Sequence, residues 1–402
     1  MRYVTLQEYR TELGVPLSAE ECDILRTTVP SLSIAPSIGS SGCYDITPGS
    51  VIGAVALEDL GIEIRPKIPI ARVLFLLGYS IDPSRWRDIG FHFGEASSVF
   101  EAVIPGFVSQ VRRATVRGLL KSYRQEEEAL TTVRGRVRLD EQIRKRYGIV
   151  PPIEVRYDEF TEDVEENRLL KAALSRLSRL RIRSEPARRL LFQFEHLFGQ
   201  VELVAYEPGS LPRILYTRLN QHYGPAVELA RLILRSASFE LSHGNVRASV
   251  FLVDMNDIFE NFIVVALREQ LGLSEETFTQ GARGKGLYLD EGRLVRLEPD
   301  LSWWEGSRCV FVGDAKYKRV VVQGVEHSDL YQLLAYTAAA DLPSGLLVYA
   351  AGEGKTASHQ VIRLGKRLEV RSLDLNGSPE SILKEVARIA HLIREQRAAG
   401  LA

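Results

Sequence analysis

Residues 298–316 read EPDLSWWEGSRCVFVGDAK, two mainly apolar runs separated by a short turn. Each run is typical of a β-strand, and the connection between them is short enough for a hairpin. Asp300 lies late in a predicted strand over residues 293–303, and Asp314 ends the apolar run of the next predicted strand, over residues 309–317. Antiparallel pairing of these strands would bring both carboxylates to one end of a sheet.

This pair of carboxylates is a candidate site for Mg²⁺, which takes a few carboxylates together with water and substrate phosphate oxygens. Lys316 lies two residues beyond Asp314, so both side chains point to the same face of a strand. An ammonium group there could orient an attacking water or stabilise charge that develops on a phosphate. The alternative is an exposed hairpin whose Asp and Lys form surface ion pairs of little energetic consequence.

The elements around this hairpin predict a compact α/β arrangement with a mixed sheet. In chain order they are a helix over 257–270, strands over 286–290, 293–303 and 309–317, a helix over 329–340 and a strand over 346–350. Because this order of elements is continuous from about residue 251 onward, the region is expected to bury a core of its own.

The hairpin resembles the PD-(D/E)XK nuclease superfamily, with Pro299-Asp300 as the PD element and Asp314-Ala315-Lys316 as the (D/E)XK element. The superfamily core runs helix, three strands, helix, strand, which is the order predicted above. The resemblance implies that Asp300 and Asp314 bind Mg²⁺, that the carbonyl of Ala315 completes the metal shell, and that Lys316 is catalytic.

Two helices supply further candidates through the same resemblance. Glu260 occupies the place of a metal-proximal glutamate on the first helix, although Asp257 and Glu260 also have the spacing of a capping box. Gln332 and Tyr336 match a QxxxY motif that lies beside the active site of RecB-like members, and their spacing places both on one helix face. Ordinary helix packing, with Gln332 incidental, is the alternative for this pair.

The rest of the chain predicts a multidomain α/β (α+β) protein. With 402 residues, 45% of them hydrophobic, the chain is long enough for two or three globular domains. We predict a β-rich domain over residues 1–150, a helical connector over 151–250, and the nuclease-like core over 251–402, a mixed sheet flanked by helices.

The basic residues concentrate between Phe107 and Tyr147, where they are Arg112, Arg113, Arg117, Lys121, Arg124, Arg134, Arg136, Arg138, Arg144, Lys145 and Arg146. Such a stretch is either a surface for DNA or a partner, or a solvated surface balanced by carboxylates such as those of residues 126–128. The sequence leaves both interpretations open.

Other classes of protein are disfavoured. The apolar runs are shorter than the roughly 20 residues that span a bilayer, and the first residues lack a secretory signal, which predicts a cytoplasmic protein. The three cysteines are far apart, so a metal would be held by oxygen ligands. Residues 352–356 (GEGKT) end like a phosphate-binding loop, but Tyr349 replaces its first glycine and a strand-like pattern follows, which disfavours nucleotide binding here.

Several further segments resemble the McrC family. They are Ile62–Ile68, Gly118–Tyr123, Val133–Arg136, Tyr157–Asp163 and Glu166–Lys171. The resemblance implies an endonuclease subunit that docks on a hexameric AAA+ GTPase, McrB, stimulates GTP hydrolysis and cuts double-stranded DNA bearing modified cytosine. GTP and the modified base would be bound by the partner, and residues 1–150 would contact the GTPase ring.

Two alternatives remain at this point. The chain could be a non-catalytic activator of the GTPase ring, against which the intact Asp300, Asp314 and Lys316 argue. It could also be a PD-(D/E)XK nuclease coupled to a different motor, because such domains serve many functions.

Overall fold

The computed structural model describes most of the chain: residues 2–29, 31–57, 59–81, 83, 99–180, 182, 184–239, 249–281, 285–318, 326–350 and 357–401. The helices are α1 Ala19–Thr28, α2 Ile70–Ile81, α3 Val99–Ala114, α4 Leu139–Arg146, α5 Glu165–Ser178, α6 Glu185–Leu197, α7 Gly224–Ser236, α8 Met255–Leu271, α9 His327–Ala339 and α10 Pro379–Leu401. The strands are β1 Arg2–Gln7, β2 Glu12–Pro16, β3 Ser33–Pro36, β4 Cys43–Thr47, β5 Val51–Ala56, β6 Leu60–Arg65, β7 Ser122–Leu130, β8 Arg136–Val137, β9 Ile153–Thr161, β10 Ala237–Phe239, β11 Ser249–Asp254, β12 Phe278–Thr279, β13 Leu287–Tyr288, β14 Arg296–Leu297, β15 Leu301–Glu305, β16 Arg308–Lys316, β17 Ser344–Ala350, β18 Ala357–Gln360 and β19 Arg367–Leu373. The chain is thus a mixed α/β protein, as predicted.

The chain divides into two compact units, and the first is discontinuous. Unit 1 combines residues 1–102 with residues 241–402, and unit 2 comprises residues 103–240. This division differs from the predicted boundaries at residues 150 and 250. The reason is long-range strand and helix packing between the N-terminal and C-terminal parts of unit 1, which local sequence periodicity does not encode.

A sheet in the order β1, β6, β5, β11 joins those two parts of the chain. β1 is parallel to β6, whereas β5 pairs antiparallel with both β6 and β11. Gly53 in β5 has a φ of 135°, and a Cβ built there would lie 2.0 Å from the carbonyl oxygen of Phe251 in β11. Only glycine tolerates that approach, so β5 and β11 are closely fitted.

A six-stranded mixed sheet in the order β12, β15, β16, β17, β19, β18 forms the C-terminal part of unit 1. β16, β17 and β19 run parallel, and β15 pairs antiparallel with β16. Leu333 and Tyr336 of α9 pack in apolar clusters with residues of β16 and β17. Helix α8 packs against α2, α10 and β16. The ring of Phe262 in α8 contacts the rings of Phe75 and Tyr79 in α2.

One strand that was predicted for the main sheet lies outside it. The segment expected as a strand over 286–290 contributes only β13, which pairs with β14 in a separate two-stranded ribbon. The carboxylate of Asp290 accepts hydrogen bonds from the N–H groups of Leu294 and Val295, which closes the turn of this ribbon. The strand predicted over 293–303 is therefore divided into β14 and β15, and β12 is the strand that pairs with the outer edge of β15.

Unit 2 contains a three-stranded antiparallel sheet, β7–β9–β8, and helices α4 to α7. Residues 151–250, predicted as a helical connector, thus also contain strand β9. Seven of the eleven basic residues between Phe107 and Tyr147 form ion pairs with carboxylates: Lys121, Arg124, Arg134, Arg138, Arg144, Lys145 and Arg146. This pairing favours the balanced, solvated surface over a DNA-binding patch.

Among the helices that the structure describes, none combines the length and the apolar character needed to cross a membrane. The segment 352–356, with its resemblance to a phosphate-binding loop, lies outside the described residues.

Candidate active site

The register between β15 and β16 places Asp300 beside Asp314. Leu301 pairs with Gly313, so the next residues along the two antiparallel strands, Asp300 and Asp314, face each other. The backbone N–H of Ala315 donates a hydrogen bond of 3.0 Å to the Asp300 carboxylate, and the N–H of Asp300 lies 3.5 Å from a carboxylate oxygen of Asp314. The two carboxylates therefore share one end of the sheet.

Lys316 lies on the same face of β16 as Asp314. Its ammonium group forms an ion pair with the Asp314 carboxylate and lies 4.0 Å from the carboxylate of Asp300. The side chain of Asp314 is 1% exposed, and those of Asp300 and Lys316 are 18% and 22% exposed. Because the central carboxylate is fully buried, the alternative of an exposed hairpin with surface ion pairs does not apply.

Three carboxylates, those of Asp300, Asp314 and Glu260, interact electrostatically with one another and with the ammonium of Lys316. Burial, and then the neighbouring carboxylates of Asp314 and Glu260, raise the pKa of Asp300, although the N–H of Ala315 opposes the shift. Burial lowers the pKa of Lys316, but Asp314 and Asp300 outweigh it, so that the pKa lies above its ordinary value. Lys316 thus remains a cation held by the surrounding carboxylates.

The donor set suits Mg²⁺. Within the part of the chain that the structure describes, no group of three or more His, Cys, Asp or Glu side chains is arranged to hold a metal. Mg²⁺ does not require one, because it commonly binds through one or two carboxylates and completes its shell with water and phosphate oxygens. Asp300 and Asp314 fit that mode, and a divalent cation would offset both the burial and the carboxylate repulsion that raise the pKa of Asp300.

Glu260 does not form the capping box that its spacing allowed. Helix α8 begins at Met255, and its cap is Asp254, whose side chain accepts a hydrogen bond of 2.8 Å from the N–H of Asn256. Burial raises the pKa of Glu260 to about 7; the carboxylate of Asp314 adds to this shift, whereas Lys316 opposes it. Glu260 is therefore close enough to the site to interact electrostatically with it.

Gln332 and Tyr336 share one face of α9, as their spacing predicted. The side-chain amide of Gln332 donates a hydrogen bond of 2.7 Å to the Tyr336 hydroxyl, which in turn donates a bond of 3.3 Å to the carbonyl of Glu298. Burial, and then the carboxylates of Asp314 and Asp300, raise the pKa of the Tyr336 hydroxyl. This pair thus contacts and stabilises the segment that precedes Asp300.

Sequence reasoning missed Lys318, which lies two residues beyond the end of β16. The ammonium of Lys318 lies 3.0 Å from the carboxylate of Asp329, which is buried and also accepts a hydrogen bond from the hydroxyl of Tyr349. Its nearness in sequence to Lys316 was the only signal for Lys318. Asp329 and Tyr349 come from α9 and β17, so no local pattern links them.

Comparison with known proteins identifies the family. The model of the family described as McrBC 5-methylcytosine restriction system component matches residues 46–350, more than half of the chain. The chain belongs to this McrBC family. The resemblance to McrC proteins read from the sequence is thereby confirmed.

Two solved structures resemble this McrBC family member. One is a half-complex from a tetradecameric assembly of Thermococcus gammatolerans McrB AAA+ hexamers with bound McrC, with a TM-score of 0.58, 18% identity, and coverage of 98% of this chain and 100% of that chain. The other is the Thermococcus gammatolerans McrBC complex, with a TM-score of 0.45, 20% identity, and coverage of 68% and 90%. The first match shows a shared mixed α/β fold. No curated protein sequence matches the chain.

Proposed function

We propose that this chain is the nuclease subunit of a GTP-driven restriction complex and that it hydrolyses phosphodiester bonds of DNA at a PD-(D/E)XK centre. The observation that carries the proposal is the β15–β16 register, which places the buried Asp314 beside Asp300 and Lys316. Two carboxylates and a lysine at one sheet end are the groups that metal-dependent phosphodiester hydrolysis uses.

The roles of the residues follow from their positions. Asp300 and Asp314 would hold Mg²⁺, with the carbonyl of Ala315 as a third ligand, and the ion would supply Lewis-acid stabilisation of the phosphate. Lys316 remains protonated and would orient the attacking water and stabilise the charge that develops on the phosphate oxygens. Glu260, whose pKa of about 7 lets it take up a proton near neutral pH, would assist from α8.

A GTPase ring is the proposed partner. The similar structure is described as McrB AAA+ hexamers with bound McrC, and membership of the McrBC family supports the same pairing here. The region 1–150, proposed to contact the ring, exposes several large apolar side chains around α4, namely Leu139, Ile143, Tyr147, Ile149 and Val150. GTP and the modified cytosine would then be bound by the partner.

The alternatives predict different behaviour. A non-catalytic activator would tolerate the loss of Asp314 or Lys316 without any change in DNA cutting. A nuclease with a different motor would cut DNA without a McrB-type GTPase, which the match to the McrBC family disfavours.

Replacement of Lys316 by Ala tests the proposed function. We expect DNA cutting, in the presence of the GTPase partner, to fall by at least ~10²-fold, because electrostatic groups at such centres contribute about that much. Mg²⁺ binding, measured by calorimetry, should persist because the carboxylate ligands remain. Lys384→Ala, on the exposed side of α10, is the matched control. Near-normal cutting by Lys316→Ala would remove this lysine from the mechanism.

Lys355→Ala tests whether this chain binds nucleotide. We expect GTP-dependent cutting and GTP hydrolysis by the complex to remain unchanged, because Tyr349 stands where a phosphate-binding loop requires glycine. Plasmid cleavage and phosphate release are measured on the complex. GTP binding by the isolated chain is measured by equilibrium dialysis. GTP binding that disappears in the Lys355→Ala variant would assign a nucleotide site to this chain and contradict the proposed division of labour.

A further inference from the structure

Tyr317, the residue that follows Lys316, joins the end of the active-site strand to the N-terminal sheet. Its ring is fully buried, and its hydroxyl donates a hydrogen bond of 2.8 Å to the carboxylate of Glu8. Its backbone carbonyl accepts a hydrogen bond of 2.6 Å from the ammonium of Lys67, which also lies 3.7 Å above the centre of the Tyr317 ring. Tyr317 is thus held at both its side chain and its backbone.

Glu8 and Lys67 are themselves fixed by the strands that precede them. Glu8 follows β1 and Lys67 lies two residues beyond β6, and these parallel strands end at the same edge of their sheet. The N–H of Glu8 donates to the carbonyl of Arg65, and the N–H of Lys67 donates to the Glu8 carboxylate at 2.5 Å. The carboxylate of Glu8 therefore links both strand ends to Tyr317.

The same ring also contacts the helix that carries Glu260. The ring centre of Tyr317 lies 6.0 Å from that of Phe259, the residue before Glu260. Lys316 is thus next in sequence to Tyr317, and Glu260 is next in sequence to Phe259. Displacement of Tyr317 would shift Lys316 directly and would loosen the packing beside Glu260.

Burial of the Glu8 carboxylate has a cost in lost hydration. Its side chain is 3% exposed, and a buried carboxylate is tolerated only where hydrogen bonds and cations compensate for lost hydration. An apolar residue would fill the same volume without that cost. The cluster instead fixes directions, since each of its hydrogen bonds defines where Tyr317 lies.

We propose that Glu8 and Lys67 are positioning residues of the nuclease centre, which hold Tyr317 so that Lys316 stays beside Asp300 and Asp314. The proposal rests on the nuclease function proposed above. It makes the catalytic competence of the C-terminal sheet depend on two residues from the first 70 positions of the chain. Neither residue touches the reacting atoms.

The test compares two tyrosines that make the same kind of bond. Tyr317→Phe removes only the hydroxyl that binds Glu8. Tyr79→Phe removes a buried hydroxyl that donates to Glu269, which also joins the N-terminal part to α8. Glu269 lies nine residues beyond Glu260, about 13 Å along the helix at about 1.5 Å per residue, so the control bond is remote from the centre.

Three quantities are measured on the full chain: the cutting rate of 5-methylcytosine plasmid DNA with the GTPase partner, the Mg²⁺ concentration for half-maximal rate, and the melting temperature. We expect Tyr317→Phe and Glu8→Gln to lower the rate by about 10-fold to 10²-fold, as small misplacements of catalytic groups do. The half-maximal Mg²⁺ concentration should not change. Tyr79→Phe should cut like the wild type even where it lowers the melting temperature as much.

A second readout does not require cutting at all. The reactivity of the Lys316 amine toward an amine-specific reagent, followed by mass spectrometry, should rise several-fold in Tyr317→Phe and Glu8→Gln, but not in Tyr79→Phe. If the wild type fails to cut DNA, the proposed function fails, and this reactivity still decides whether the cluster positions Lys316. Equal rates and equal Lys316 reactivity in the Tyr317→Phe and Tyr79→Phe variants would show a structural role only and overturn the proposal.

Discussion

Replacement of Asp314 by Asn should abolish DNA cutting, with a loss of at least ~10³-fold, while stimulation of GTP hydrolysis by the partner stays within about twofold of the wild type. Asn has the shape of Asp but lacks its charge, so the fold should tolerate the change and the metal should lose a ligand. The side chain of Asp314 is 1% exposed and its carboxylate contacts Lys316, so the lost charge lies at the centre of the site. Plasmid cleavage and phosphate release from GTP are measured on the same complex.

Asp341→Asn supplies the control, because this exposed residue follows α9 and makes the same chemical change outside the site. It should cut and stimulate like the wild type. Loss of both activities in the Asp314→Asn variant, with melting unchanged, would contradict the proposal that cutting and ring contact reside in different parts of the chain. Unchanged cutting would favour the non-catalytic activator.

Residues 249–402 expressed alone should fail to show a cooperative unfolding transition. Without residues 1–102, β11 loses its neighbour β5, and Phe262 of α8 loses its contacts with the rings of Phe75 and Tyr79. Burial of each large apolar side chain contributes about 1.5–3 kcal/mol, against a total stability of about 5–15 kcal/mol for a typical domain. Loss of several such contacts exceeds what the fragment can tolerate. Thermal unfolding followed by circular dichroism is the measurement.

Co-expression of residues 1–102 with residues 241–402 is the matched control, because it restores both parts of unit 1. A cooperative transition should then return. A sharp transition of the fragment alone, near the melting temperature of the full chain, would show instead that the C-terminal region buries a sufficient core by itself. That independence was the expectation from the sequence.

Local patterns predicted the helix and strand that carry the candidate site. The helix expected over 257–270 is α8, Met255–Leu271, and the strand expected over 309–317 is β16, Arg308–Lys316. The juxtaposition of Asp300 and Asp314 followed from the alternation of a strand and from one short hairpin. Both are interactions between residues close in sequence, which periodicity encodes.

Distant pairings were not accessible to the same reasoning. The contact of Glu8 with Tyr317 joins residues 309 positions apart, and β11 pairs with a strand about 200 residues earlier in the chain. The two-stranded ribbon of β13 and β14 was also missed, because Asp290 closes its turn through hydrogen bonds that strand patterns do not reveal. The discontinuous unit 1 follows from these long-range contacts.

The proposed metal position can be measured by replacing Mg²⁺ with Fe²⁺ and adding ascorbate and peroxide, so that hydroxyl radicals cut the polypeptide next to the bound ion. If Asp300 and Asp314 hold the cation, the wild-type chain should be cut near residues 300 and 314–316, and excess Mg²⁺ should suppress these cuts. The Asp314→Asn variant should lose them. Metal-dependent cuts elsewhere in the chain, with none near these residues, would contradict the assignment of the nuclease centre.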